Sequence, residues 1–335
     1  MTLMTKIMGA AATGLALSAT AALADPALIY DLGGKFDKSF NEAAFNGATK
    51  WAEETGGSFK DIEITSEAQR EQALRRFAEQ GFNPVITTGF SFSTPIANIA
   101  ADYPDTKFVT IDGWVDPAEH SNVLSIDFAA EQGSYLVGML AAMKSTTGTI
   151  SFVGGMDIPL IRNFACGYAQ GAKAVNPDIV VLPNMTGTDP TAWNDPVKGS
   201  ELTKAQISQG SDVVFAAAGA TGLGVLQTAA DEGIMGIGVD SNQNYLHPGN
   251  MLTSMLKRVD VAVADAMAAG EALDTAPMTM SLADDGVGYA LDEFNADLIT
   301  DEMKTAVEDA KAKIIAGEIT VVNYNTDNSC PALEF

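Results

Sequence analysis

The stretch ALIYDLGGKFDKSFNEAAFNGATKWAEE, residues 27–54, decides the fold. Ala27–Tyr30 is a short continuous apolar run, the pattern of a strand buried on both faces. Gly33 and Gly34 let the chain turn sharply, and Asn41–Glu54 then carries helical apolar spacing. Ser39 stands where an N-cap belongs, with Glu42 three residues on, as in a capping box. The rhythm continues outward. Asp61–Thr65, Val85–Thr88, Phe108–Ile111 and Val123–Ile126 read as strands; Glu67–Glu79, Thr94–Asp102 and Ala129–Lys144 read as helices. It breaks near Asp127–Gln132 and restarts with strands at Thr149–Val153, Ile179–Leu182, Val213–Ala217 and Met235–Val239. Helices at Leu160–Val175, Pro196–Gln209 and Leu223–Glu232 lie between them. Buried-type strands alternating with helices imply parallel sheets covered on both faces, and two such series imply two Rossmann-like lobes. Thr275–Asn295 breaks the pattern with Gly and Asp, as expected of chain wandering between lobes.

Ahead of this stretch, Met1–Ala24 has a polar start with Lys6, an Ala-rich apolar run, and a small-x-small end at Ala22-Leu23-Ala24. This is the form of a cleaved secretory signal peptide. It places the mature start near Asp25 and the protein outside the cytoplasm. No Cys stands at the cleavage point to take a lipid anchor. About 310 residues then remain, roughly two domains. No later run reaches the ~18 apolar residues of a membrane span. The 335-residue chain carries 43 Asp and Glu against 19 Lys and Arg, a formal charge of −24. Such a surface repels phosphate backbones, which argues against nucleic acid as a partner and for a monomer free in solution. His120 and His247 lack neighbours at metal-ligand spacing, so no metal or other cofactor is expected. Cys166 and Cys330 could close one long disulfide loop; equally, Cys166 could be a buried small apolar residue of its helix.

Ligands of open parallel sheets sit beyond the carboxyl ends of the strands, so two facing lobes should form a cleft lined by both sets of ends. Phe40, at a helix start beyond a strand end, is placed to stack on a flat ligand, with Asn41 beside it to donate and accept hydrogen bonds. Gly89-Phe90 and Asp112 follow further strands; Asp112 is either a cap or a ligand acceptor. Asp127 falls where the chain should leave the first lobe. Trp193 sits in a polar, Pro-bounded loop. The run 217–224 is neither GxGxxG nor a Walker loop; its glycines, Gly219 among them, suit close approach of backbone to a ligand or plain strand-to-helix packing. Asp240 and Lys257 end two more strands and could pair across the cleft mouth, as ligand contacts or as an ion pair with no ligand role. No GxSxG, HExxH or Cys–His pair appears.

Asp31-Leu32-Gly33-Gly34-Lys35-Phe36-Asp37-Lys38-Ser39-Phe40-Asn41 resembles the opening motif of the basic membrane protein family, solute-binding proteins of ABC transporters related to the purine nucleoside receptor. Tyr103-Pro104-Asp105, Phe108–Asp112, Trp193-Asn194-Asp195-Pro196, 210–213, 219–222 and Ile237–Asp240 resemble further family blocks. The resemblance runs from about Pro26 to at least Asp260. It implies a type I periplasmic-binding-protein fold: two α/β lobes, three crossovers, and a hinge over a central cleft. The lobes would be 25–127 with about 251–285, and 128–250 with about 286–335. By resemblance Phe40 stacks on a purine with Trp193 on its other side, Asn41 and Asp112 read the base edge, Asp240 accepts from ribose hydroxyls, and Lys257 adds a polar contact. Asp31, Phe90 and Gly219 are further ligand contacts. The implied function is capture of a purine nucleoside in the periplasm for an inner-membrane permease. A free base, a sensory role and a secreted nucleoside hydrolase are the alternatives. Two departures stand out: the lipobox cysteine is missing, and Ala220 replaces a common second glycine.

Overall fold

The computed structural model describes residues 24–335, so the leader expectation for Met1–Ala24 lies almost wholly outside the described residues. In chain order the first lobe holds β1 (Ala27–Tyr30), α1 (Phe40–Thr55), β2 (Lys60–Glu63), α2 (Gln69–Glu79), β3 (Val85–Thr88), α3 (Ser93–Ile99), β4 (Phe108–Ile111) and β5 (Val123–Phe128). The second holds α4 (Ala130–Lys144), β6 (Thr149–Met156), α5 (Pro159–Val175), β7 (Val180–Gly187), α6 (Pro196–Ser208), β8 (Val213–Ala217), α7 (Thr221–Asp231), β9 (Met235–Asp240) and β10 (Met251–Lys257). The chain then shuttles through α8 (Val259–Ala269), β11 (Met278–Met280), β12 (Val287–Tyr289) and α9 (Asp301–Ile315).

Two six-stranded sheets result among the described residues, ordered β11-β5-β4-β3-β1-β2 and β12-β10-β9-β8-β6-β7. Position by position they are the same arrangement, so β1 corresponds to β6, β3 to β8, and β4 to β9. The edge strands differ: β11 runs parallel to β5, whereas β12 runs antiparallel to β10. The central strands are buried along their length, as their unbroken apolar runs require.

The lobes are joined by three crossovers, after Phe128, at Arg258 and over 281–286. Backbone bonds tie the crossovers to one another: Ala129 N–H donates to Met280 C=O (2.9 Å) and Arg258 N–H to Gly286 C=O (2.9 Å). The second crossover corrects the expected boundary. Met251–Lys257 pairs in parallel with β9 and belongs to the second sheet, so the chain returns to the first lobe at Arg258 and not near residue 251. An apolar strand buried on both faces fits either sheet; its register on β9 is a tertiary choice that local sequence does not encode. Thr275–Asn295 does pass between lobes, contributing one strand to each sheet.

Cys166 of α5 is disulfide-bonded to Cys330 of the tail, with Cα atoms 5.7 Å apart. The helix expected over Thr94–Asp102 is shorter, α3 flanked by 3₁₀ turns. Among the described residues no helix is long and apolar enough to cross a membrane.

Candidate ligand cleft

The carboxyl ends of both sheets face one cavity with about 660 Å³ of empty space, counting its open mouth. Asp31, Phe40, Asn41, Phe90, Asp112, Trp193, Gly219, Asp240 and Lys257 all line it. The correspondence of the lobes explains part of this: Asp112 follows β4, Asp240 ends β9, and both adopt left-handed backbone, φ 64° and 63°. That conformation is uncommon outside Gly and is tolerated best by Asp and Asn. It turns the chain off the strand at the same place in each lobe.

The loop before α1 is built differently from a capping box. Ser39 makes no side-chain cap. Asp37 does the capping: its carboxylate accepts from the N–H groups of Ser39 (2.8 Å), Asn41 (3.0 Å) and Glu42 (3.1 Å). Ser39 Oγ is thereby free to donate across the cleft to Asp240, while Glu42 pairs with Lys38. Asn41 is also committed to the protein. Its Nδ2 donates to the carbonyls of Asp31 and Gly34 (both 3.1 Å), and its Oδ1 accepts from Thr88 Oγ1 at 2.7 Å. Both amide hydrogens are used, so Asn41 holds the 31–34 loop in shape and has no donor left to offer a ligand.

Asp31 is anchored by Arg70 of α2, whose Nε (3.1 Å) and Nη2 (2.7 Å) both reach Oδ1. Sequence reasoning missed Arg70, because nothing in an amphipathic helix distinguishes a buried arginine from its more exposed neighbours Arg75 and Arg76.

Lys257 and Asp240 do not pair, which corrects the expected mouth ion pair. Lys257 Nζ instead bonds Asp112 Oδ2 across the lobes, with both side chains buried. Three rings surround the ammonium: Phe40, Phe128 and Phe164, with centroids 4.7, 5.1 and 5.7 Å away. Aromatic faces attract a desolvated cation. Asp112 Oδ1 has no hydrogen-bond partner among the described residues, although it is buried. Phe164, which also lines the cavity, was missed too. Its signal was available: it lies on the first helix after β6, the counterpart of α1 that carries Phe40.

Trp193 ends a 3₁₀ turn and lies against glycine. A Cβ on Gly155 would come within 2.2 Å of its ring, and one on Gly219 within 3.3 Å of its backbone. Gly219 thus makes room for the tryptophan.

Among the described residues, four carboxylates (Asp31, Asp37, Asp112, Asp240) line the cavity against one ammonium. Burial pushes the carboxyls of Asp31 and Asp240 above the usual carboxylate range, and likewise those of nearby Asp127 and Glu131. Burial also lifts Asp37 up to about 7, against the pull of its three N–H donors. Folded protein therefore retains protons that the unfolded chain releases near pH 4. By linkage this contribution is complete below the unfolded pKa and is lost as pH rises through the folded values. The thermal midpoint is expected to be several degrees higher at pH 5.5 than at pH 8 by calorimetry; a midpoint that climbs over that interval contradicts the assignment.

A family model described as ABC transporter substrate-binding protein PnrA-like, Bmp, matches residues 26–325. The chain belongs to the Bmp family. It is 32% identical over 320 residues to the ABC transporter nucleoside-binding protein BmpA of Lactococcus lactis subsp. cremoris, covering 88% of each chain. To basic membrane protein A2 of Borrelia garinii subsp. bavariensis it is 30% identical, over 87% of this chain and 86% of that one. The crystal structure of an ABC transporter system solute-binding protein from Aeropyrum pernix superposes with TM-score 0.80 at 26% identity, covering 91% and 95% of the two chains. The fold of this Bmp-family chain is therefore the two-lobed periplasmic-binding-protein fold, and its family is one of substrate-binding proteins that serve ABC transporters.

Proposed function

We propose that this protein captures a purine nucleoside by lobe closure, outside the cytoplasm, and delivers it unreacted to the permease of an ABC importer. The observation that carries the reading is the make-up of the cleft: Phe40, Phe164 and Trp193 wall a cavity whose charged groups are four carboxylates and one lysine. Aromatic walls suit a planar heterocycle. Carboxylates accept hydrogen bonds from ring N–H and sugar hydroxyl groups, and they repel phosphate, which favours nucleosides over nucleotides. A relative of similar length carries the name nucleoside-binding protein, which supports the same reading.

In this proposal Phe40 and Trp193 stack on the base, Asp112 Oδ1 accepts from its edge, and Asp240 accepts from the ribose. Lys257 holds Asp112 and adds a donor. Asp31, Phe90 and Gly219 shape the pocket, and Asn41 positions the loop beneath it. The leader at Met1–Ala24 would deliver a monomer to the periplasm. Base–aromatic stacking is worth roughly 1–3 kcal/mol, so Phe40→Ala is expected to weaken nucleoside affinity about tenfold or more by titration calorimetry. Unchanged affinity removes the stacking role.

A further inference from the structure

Four residues outside the cavity lining, Lys38, Ser39, Ser241 and Gln243, meet across the cleft. Lys38 and Ser39 come from the first lobe, between β1 and α1; Ser241 and Gln243 come from the second, just after β9. Gln243 Nε2 donates to the Lys38 carbonyl (2.9 Å), Ser241 Oγ donates to the Ser39 carbonyl (3.2 Å), and Ser39 Oγ donates to Asp240. Of these residues only Asp240 lines the cavity. The arrangement is built into both loops. Lys38 adopts left-handed backbone, φ 61°, a conformation that costs a non-glycine residue free energy and that presents its carbonyl to the glutamine. The Gln243 side chain is almost wholly buried, and its Oε1 accepts from Val239 N–H at 2.9 Å. The strand leaves space for it: a Cβ on Gly238 would lie 2.4 Å from Gln243 Oε1.

We infer that Gln243, with Ser241, is a positioning latch that holds the lobes closed by protein–protein hydrogen bonds, and that it sets affinity for every ligand without touching any. A ligand that needs the closed form binds with an apparent Kd equal to its intrinsic Kd divided by the closed fraction. The latch raises that fraction before ligand arrives. Because its bonds are made to backbone and not to ligand, weakening it scales all affinities by one factor and leaves their ranking alone.

The test uses Gln243→Ala and Ser241→Ala in the full protein. The serine variant removes only a cross-lobe bond and keeps the contacts of Gln243 within its own lobe, so it decides the matter where the glutamine variant fails to fold. Small-angle X-ray scattering of the ligand-free variants is expected to show a larger radius of gyration than wild type. One hydrogen bond is worth roughly two- to tenfold in an equilibrium, so inosine, guanosine and adenosine should each bind weaker by about that factor, in unchanged order. The affinity arm rests on the nucleoside reading and the scattering arm does not: wild type that binds none of the three defeats that reading, while scattering still judges the latch. Ligand-free variants that scatter like wild type, or losses that differ from one nucleoside to the next, overturn it.

Discussion

Lys257→Met is expected to abolish micromolar nucleoside binding and to lower stability by about 3–5 kcal/mol, the usual cost of removing one partner from a buried ion pair. Lys257 reaches from β10 of the second lobe to Asp112 of the first, with both side chains out of solvent. Its ammonium is the cation among the described residues that line a cavity otherwise charged by Asp31, Asp37, Asp112 and Asp240. Methionine keeps most of the side-chain volume and its contact with the surrounding phenylalanines, so the loss is electrostatic and leaves little void. Asp112 would be stranded, buried, with Asp240 close enough to repel it. Two measurements separate the roles. Denaturant unfolding of Lys257→Met combined with Asp112→Asn should recover most of the lost stability, because no orphan charge remains. Calorimetry on that double variant should still show weak binding, because Asp112 no longer offers its carboxylate. A single variant as stable as wild type contradicts the account of the pair.

The second large effect concerns the tail. Cys166 and Cys330 are 164 residues apart in sequence. In the chain-entropy view a loop of that length restricts the unfolded chain by about 5 kcal/mol. The tail has other anchors, which reduce the fraying expected on reduction but not the entropy of the unfolded chain. Asn163 Oδ1 accepts from Tyr324 N–H at 2.8 Å, and Gln170 Nε2 donates to the Val322 carbonyl at 3.0 Å. Cys330→Ser, with Cys166→Ser to avoid a free thiol, should therefore move the denaturant midpoint strongly while nucleoside affinity stays within about twofold. Neither cysteine lines the cavity. Equal midpoints with and without reductant would deny the disulfide its stabilising role.

The alternation of short buried strands with amphipathic helices was legible from residues 27 to 240 because each lobe repeats one local rule, and local rules are what sequence displays. The strand ends were legible for the same reason. Asp112 and Asp240 close apolar runs, and a carboxylate there is conspicuous. Pairing across the lobes was not legible. Lys257 meets Asp112 and not Asp240 because of how two sheets are set about a hinge, which depends on three crossovers far apart in the chain. The placement of Met251–Lys257 in the second sheet has the same origin. Asp37 displaced Ser39 as the helix cap because a carboxylate two residues upstream reaches three N–H groups at once, a geometry that the Ser-x-x-Glu spacing conceals. Arg70 and Gln243 were hidden for a further reason: each is a polar residue buried by a partner that the chain supplies 39 or 205 positions away.

On the proposed function, this cleft binds a purine nucleoside and leaves it intact. Isothermal titration of residues 25–335, unfolded and refolded to remove carried-over ligand, against adenosine, guanosine, inosine, adenine and uridine tests it most directly. One-to-one binding of a purine nucleoside at micromolar or tighter affinity, with the nucleoside recovered unhydrolysed, is the predicted result. The absence of heat with every compound, or recovery of free base and ribose, would contradict it.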